Sequence, residues 1–199
     1  MNNFLIISLL FLIVGSSKLI DEPSLIEKNG VMYLPQSDKP YSGDVSKLDN
    51  FGKTLLKGTY KNGKKDGLWT WWYENGQKRD ELTYKDGTFD GLYTNWYENG
   101  QKRFELTYKD GIHNGILTWW YENGQKESEG TYKDDKLEGL STNWYENGQK
   151  WYELTNKDGE FHGLYTNWYE NGKKRFEGTY KDGELISEKY WNEDGSVKE

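Results

Sequence analysis

Cysteine is absent from this 199-residue chain, which excludes disulfide bonds and thiolate metal ligands. Histidine occurs only as His113 and His162, at different offsets in the repeat described below, so the two do not form a metal ladder. A basic excess is also lacking: the net charge is −7, whereas binding to nucleic acid or anionic lipid needs clustered Lys and Arg. We therefore expect no metal, no other cofactor and no nucleic-acid partner.

Long hydrophobic runs are scarce, and the clearest one lies at the N-terminus. The run Phe4 to Val14 is interrupted only by Ser8 and is followed by Gly15-Ser16-Ser17. It suits the apolar region of a signal peptide and is shorter than the ~20 residues of a membrane-spanning helix. The sequence predicts a signal peptide over residues 1–17 and a secreted, periplasmic or cell-surface protein. The alternative is an intact cytoplasmic N-terminus, or an uncleaved leader that provides the chain's only membrane association.

Proline and the motifs of catalysis are equally sparse. The three prolines, Pro23, Pro35 and Pro40, all lie in a short lead-in, and no helical periodicity appears beyond the leader. Neither a Gly-x-Ser-x-Gly nucleophile motif nor a phosphate-binding glycine loop is present. We therefore predict an all-β protein that is not an enzyme.

A repeated phrase dominates the rest of the chain. Trp-Tyr-Glu-Asn-Gly recurs every 24 residues, and Thr-Tyr-Lys-Asp-Gly or a near copy follows with the same interval. A fixed period of this length indicates a repeat architecture, in which each unit packs against its neighbours. The first phrase begins at Trp72, Trp96, Trp120, Trp144 and Trp168, and the second at Thr59, Thr83, Thr107, Thr131, Thr155 and Thr179.

One repeat has the pattern of one β-hairpin. In the copy Gly91 to Asn114, the strand-like segments 92–97 and 104–108 flank Asn99-Gly100, and Asp110-Gly111 follows. Asn-Gly between such segments is typical of a type I′ turn, because both turn positions need positive φ. The fold class predicted is an elongated antiparallel β-hairpin meander built from 24-residue repeats.

The repeat frame also divides the chain. Residues 18–42 form an N-terminal lead-in with one short hairpin expected at Asn29-Gly30, and residues 43–66 form a degenerate capping repeat. Residues 67–186 hold five repeats, and residues 187–199 form a C-terminal partial repeat, one residue short of the frame. Atypical terminal units are expected because an open array needs polar ends for solubility.

Alternate strand residues share a face of the sheet, so the copies can be compared face by face. Invariant Leu or Ile, Thr and Trp positions predict a structural face that carries a Trp ladder. A row of Glu from Glu81 to Glu177, offset by Arg79, Arg103 and Arg175, predicts a solvated surface. Positions that vary between copies predict an exposed candidate binding face, because a shared core tolerates little change of volume. Its large members are Trp69, Trp71, Tyr93, Phe104, Trp119, Tyr152, Tyr165 and Phe176.

The segments Tyr97 to Lys102, Glu105 to Gly111 and Gly115 to Tyr121 resemble the MORN-repeat variant of bacterial proteins labelled as YwqK-like toxin–antitoxin antitoxins. The resemblance spans about residues 43–199. It implies a β-hairpin meander, and relatives of the family are associated with protein scaffolding and membrane-proximal binding. Trp-Tyr beside Asn-Gly hairpins also resembles the choline- and glucan-binding repeats of bacterial surface proteins.

The leading functional hypothesis is an exported, non-catalytic scaffold that binds a protein partner through the aromatic residues of one sheet face. Two alternatives stay open. An antitoxin or immunity protein that neutralises a toxin would keep an intact N-terminus in the cytoplasm. A glycan-binding surface module would stack its Trp and Tyr rings on sugars.

Overall fold

The computed structural model describes residues 19–199, and the predicted signal peptide lies outside the described residues. Within that range the chain forms one 3₁₀ turn, Glu22–Ser24, and contains no helix long and apolar enough to cross a membrane. The strands are β1 (Ile20–Asp21), β2 (Ile26–Lys28), β3 (Val31–Tyr33), β4 (Gly43–Leu48), β5 (Thr54–Lys61), β6 (Lys64–Trp72), β7 (Lys78–Lys85), β8 (Thr88–Trp96), β9 (Lys102–Lys109), β10 (Ile112–His113), β11 (Gly115–Trp120), β12 (Lys126–Lys133), β13 (Lys136–Trp144), β14 (Lys150–Lys157), β15 (Glu160–Trp168), β16 (Lys174–Lys181) and β17 (Glu184–Tyr190).

The strands from β4 to β17 form one antiparallel meander in which neighbours in sequence are neighbours in the sheet. The short β10 pairs only with β9, and β1 adds a parallel strand beside β4. The lead-in strands β2 and β3 form a separate hairpin, at the Asn29-Gly30 turn predicted for it. The predicted all-β hairpin meander is confirmed.

The Asp-Gly sequences form the tight turns of the meander. Asp86 and Gly87 both have positive φ, 49° and 88°, and the flanking Lys85 and Thr88 pair directly. These are the features of a two-residue type I′ turn, whose twist matches that of the flanking strands.

The Asn-Gly turns differ from the prediction. At Glu74-Asn75-Gly76 only Gly76 has positive φ, and its amide donates to the Tyr73 carbonyl over 2.9 Å. This is a three-residue loop, a type I turn closed by a left-handed glycine. The type I′ prediction for these turns is wrong, because Asn75 serves through its side chain: its Oδ1 accepts from the Gln77 amide over 2.8 Å.

The same phrase also joins consecutive repeats. Tyr73 Oη donates to the Trp96 carbonyl over 2.7 Å, and Asn75 Nδ2 donates to the Glu98 carbonyl over 2.9 Å. Every later copy repeats both bonds. At the last step the donor and acceptor are one residue closer in sequence, and Tyr169 donates to the Trp191 carbonyl. The Tyr and the Asn are therefore invariant because each hydrogen-bonds the backbone of the next copy.

Candidate binding face

The eight candidate residues all lie on one face of the sheet. Opposed residues of an antiparallel pair share a face, and the register runs from Trp71 through Asp80 and Asn95 to Phe104 and Trp119. It continues through Ser128 and Asn143 to Tyr152, Asn167 and Phe176. A second row on the same face holds Trp69, Tyr93 and Tyr165. We call this side, defined by the eight candidates, the aromatic face.

The opposite side is the leucine face, defined by Leu68, Leu92, Ile116, Leu140 and Leu164. These five invariant side chains are 47–56% exposed, although the Thr two residues after each of them is buried. The expectation that this side forms the structural core is wrong. The buried aliphatic ladder lies instead on the aromatic face, where Leu82, Leu106 and Leu154 are each 7% exposed.

On the leucine face, successive Trp rings lie against lysines of the preceding repeat rather than against one another. Lys78 forms an ion pair with Glu81 on its own strand, and its ammonium lies 5.5 Å from the ring of Trp96 in the next repeat. The pattern recurs at Lys102, Lys126, Lys150 and Lys174. The glutamates of the row therefore pair with Lys and not with the Arg residues predicted to offset them. The reason is a bulge that removes Arg79 from the pairing register, so Arg79 contacts Asp80 instead.

The expectation that Trp69 is exposed is wrong. Its side chain is fully buried, and its Nε1 donates to the Thr59 carbonyl over 3.1 Å. Tyr60 and Trp71 pack against it with ring centroids 4.9 and 5.8 Å away, and Val45 is also fully buried in this cluster. Trp69 is therefore a core residue, since the capping repeat and lead-in cover the aromatic face at this end.

A lysine completes that cluster. The Lys65 ammonium lies 4.4, 5.1 and 5.2 Å from the ring centroids of Trp69, Trp71 and Tyr84. Burial lowers the pKa of Lys65, and the carboxylate of Glu22 opposes the shift. The aromatic rings stabilise the half-buried cation, so their faces are already occupied by the chain's own lysine.

Past this cluster three candidates stack in sequence. Tyr93 packs edge-on against Phe104 at 4.8 Å, and Phe104 packs against Trp119 at 4.7 Å. The Tyr93 hydroxyl donates to Asp80 over 2.9 Å, and burial followed by this bond raises the Tyr93 pKa. The three rings remain partly exposed and form one continuous aromatic strip.

A second strip lies nearer the C-terminus. Tyr152 and Tyr165 have ring centroids 6.0 Å apart, and Tyr165 and Phe176 are 5.5 Å apart. Tyr190 of β17 extends the strip, 4.9 Å from Phe176. The structure therefore brings six of the eight candidates together as two strips on one face, whereas Trp71 packs with the buried Trp69 at the N-terminal end.

The two strips are separated by a concavity of about 320 Å³. It opens where side chains on the aromatic face become small, and we call it the Gly130 pocket. Leu117, Trp119, Tyr132, Leu137, Tyr152, Leu154 and Phe161 form its walls, and Ser128, Gly130, Ser141 and Asn143 form its floor.

Sequence reasoning did not select the floor residues, because it searched the variable positions for large aromatics. A signal was present: Asn156 interrupts an otherwise regular Tyr ladder. Asn156 is 2% exposed, and its Nδ2 donates to the Ser141 hydroxyl over 2.9 Å. The departure from the ladder thus marks a buried polar pair beside the pocket.

A larger open groove of about 880 Å³ runs along the Asn-Gly turns near the capping repeat. Its lining mixes Lys47 and Arg79 with Glu22 and Glu98, beside Trp71. Across residues 19–199 there is no group of three or more His, Asp or Glu side chains placed to hold a metal ion. Neither groove joins a nucleophile, a base and an orienting group.

Comparison with known proteins agrees with the repeat frame. Five segments, residues 65–86, 89–110, 114–134, 137–158 and 161–182, match the family described as the MORN repeat variant. Together they cover more than half of the sequence, and the chain belongs to this family. A search of the curated proteins finds no match.

Proposed function

We propose that the chain is an exported, non-catalytic scaffold that holds a protein partner on its aromatic face. The observation that carries the proposal is the continuity of the Tyr93–Phe104–Trp119 strip, whose rings lie 4.7–4.8 Å apart and remain partly exposed. Partly exposed aromatic rings on a rigid surface lose little conformational entropy on binding, and such rings are enriched at the energetic centres of interfaces.

Charge supports a protein partner over a nucleic acid or a simple lipid surface. The net charge is −7, and the lysines of the leucine face are paired with glutamates. Beside the strip, the Asp80 carboxylate accepts from Tyr93, Asn95 and Arg79, and the Arg103 guanidinium lies 6.0 Å from the centroid of the Trp119 ring. A partner with an apolar, aromatic-lined contact surface fits this strip best.

Photo-crosslinking tests the proposal directly. A photoreactive phenylalanine analogue replaces Phe104 in the full chain, expressed in the cells that make it, and crosslinked proteins are identified by mass spectrometry. The matched control carries the analogue at Leu92, a neighbouring strand residue that faces the other side and is 47% exposed. We expect a defined partner from position 104 alone.

The same preparation tests export, because mass spectrometry of the mature N-terminus reports whether residues 1–17 have been removed. Equal crosslinking from positions 92 and 104 would overturn the aromatic-face proposal. An intact N-terminus in the cytoplasm, with a toxic protein crosslinked at position 104, would favour the antitoxin alternative.

A further inference from the structure

The floor of the Gly130 pocket combines small residues that do not occur together in the other copies. Gly130 stands where three copies have Leu82, Leu106 and Leu154 and two have Gly58 and Gly178, and Ser141 stands where others have Trp69, Tyr93 or Tyr165. Gly130 does not have a positive φ, so its backbone does not require glycine. The small residues therefore serve to leave space rather than to form a turn.

That space is lined by uncharged hydrogen-bonding groups. Within the described chain, the side chains of Ser128 and Asn143 make no hydrogen bond to protein, and both are partly exposed. Ser141 is 7% exposed, and its hydroxyl accepts a hydrogen bond from Asn156 Nδ2. The pocket thus presents two unengaged polar side chains on a rigid floor.

The walls are apolar, and the pocket carries no free charge. The acidic residue along its lining, Glu129, directs its carboxylate to the leucine face, where it accepts from Thr118 over 3.3 Å and pairs with Lys126. Trp119 and Tyr152 stand at opposite sides of the floor, with Ser128 and Asn143 between them in the register. A ligand here meets aromatic rings at its sides and neutral polar groups beneath.

We propose that the Gly130 pocket binds one ring of a neutral saccharide. A sugar ring combines apolar C–H surfaces, which pack against Trp119 and Tyr152, with hydroxyls that reach Ser128 and Asn143. A purely apolar side chain would leave those polar groups desolvated and unpaired, which is unfavourable. The lining itself offers a charged ligand no unpaired counter-charge, and the Arg103 guanidinium, 6.0 Å from the centroid of the Trp119 ring, lies outside it. This inference does not rest on the proposed protein partner, although Trp119 belongs both to the pocket and to the end of the strip assigned to that partner.

Saturation-transfer NMR on the full chain tests the proposal with defined probes. The probes are glucose, galactose, mannose, N-acetylglucosamine and their common neutral disaccharides, with glucuronic acid as the charged arm and p-cresol as the phenol arm. We expect transfer from the protein to at least one neutral sugar, accompanied by a change in Trp fluorescence, and none to glucuronic acid.

Two variants locate the binding. Ser141→Tyr supplies the residue that Tyr93 and Tyr165 provide in other copies, fills the pocket and should abolish sugar binding. Ser128→Ala removes a hydroxyl with no protein partner, so the fold should be unchanged while the dissociation constant rises about tenfold. The matched control is Leu140→Tyr, on the same strand as Ser141 but on the leucine face and 54% exposed, and it should bind like the wild type.

Several results would overturn the proposal: no transfer to any neutral sugar, binding unaffected by Ser128→Ala in the folded protein, or p-cresol binding without sugar binding. The last result would assign the pocket to an aromatic side chain of a partner protein. Crosslinking from position 104 is independent of each of these outcomes, so failure here and failure of the proposed function can be distinguished.

Discussion

The N-terminal end and the middle of the aromatic face share one backbone frame, but large side chains fill the first and small side chains leave space in the second. Around Trp69 the frame is filled, and Trp69 and Val45 are fully buried beneath the capping repeat and the lead-in. Around Gly130 the same positions carry small residues, and a pocket of about 320 Å³ remains. Side-chain volume at a few variable positions therefore decides whether a repeat serves as core or as site.

Replacing Trp69 should show the largest effect. Trp69→Ala removes a fully buried ring and its hydrogen bond to Thr59, and we expect a loss of about 3–5 kcal/mol in the free energy of unfolding. Denaturant titration monitored by circular dichroism measures it. Trp151→Ala is the control, because Trp151 is 40% exposed and should cost far less. Equal losses would remove the distinction between the filled and the open region.

A pair of glycines sharpens the comparison. A Cβ at Gly58 would overlap the Trp69 ring, so we expect Gly58→Ala to destabilise the fold by about 1–3 kcal/mol. A Cβ at Gly130 would lie 2.9 Å from the mobile end of Leu137 and 3.3 Å from Ser141 Cβ. Gly130→Ala should therefore cost much less. Thermal unfolding of both variants checks the order, and a larger loss at Gly130 would contradict it.

The tyrosine hydrogen bonds between repeats should contribute similarly to the free energy of unfolding in both regions. Tyr97→Phe removes the hydroxyl that donates to the Trp120 carbonyl over 2.8 Å, and we expect a loss of about 1 kcal/mol. Tyr73→Phe removes the equivalent bond nearer the filled end and should cost about the same. Urea titration compares the two. A cost confined to one of them would show that the frame is not uniform.

The smallest effect at neutral pH is expected at Tyr60, in the filled region. Burial, assisted by the Glu22 carboxylate, raises the Tyr60 pKa, so the folded state favours the neutral phenol. That stabilisation is complete below the unfolded pKa of about 10 and is lost as the pH rises above it towards the folded value. Tyr60→Phe should therefore lose less stability than the wild type between neutral and strongly alkaline pH. Parallel losses in both proteins would contradict the assignment.

Much of the fold could be predicted from particular residues. The 24-residue spacing of Trp-Tyr-Glu-Asn-Gly and the Asp-Gly turns predicts the meander, because turn chemistry and strand alternation are local properties. Alternation also places the eight candidates on one side. The turn at Asn75-Gly76 was assigned wrongly, because Asn75 Oδ1 accepts from the Gln77 amide and the loop takes in Glu74 as a third residue. The bond from Asn75 Nδ2 to Glu98 of the next copy exists only once the copies are stacked.

The candidate site was predicted less completely than the fold. The sequence identified the accessible aromatic strip but also included Trp69, whose burial depends on the capping repeat and the lead-in folding over it. It did not identify Ser128, Ser141 or Asn143, because a pocket floor is defined by what its neighbours leave empty. Equally, invariance of Leu68 and its equivalents indicated a core, whereas the structure leaves them about half exposed.

The period, the hairpins and the residues that share a face could all be derived from the amino-acid sequence, because each follows from the alternation of side chains and the conformational needs of short turns. Which face is buried, which lysines pair with the glutamates and where the pocket opens became clear from the folded chain alone. Those properties depend on packing between copies and on the contacts of the capping repeat and lead-in with the N-terminal end of the aromatic face. Both are long-range contacts, which local patterns do not specify.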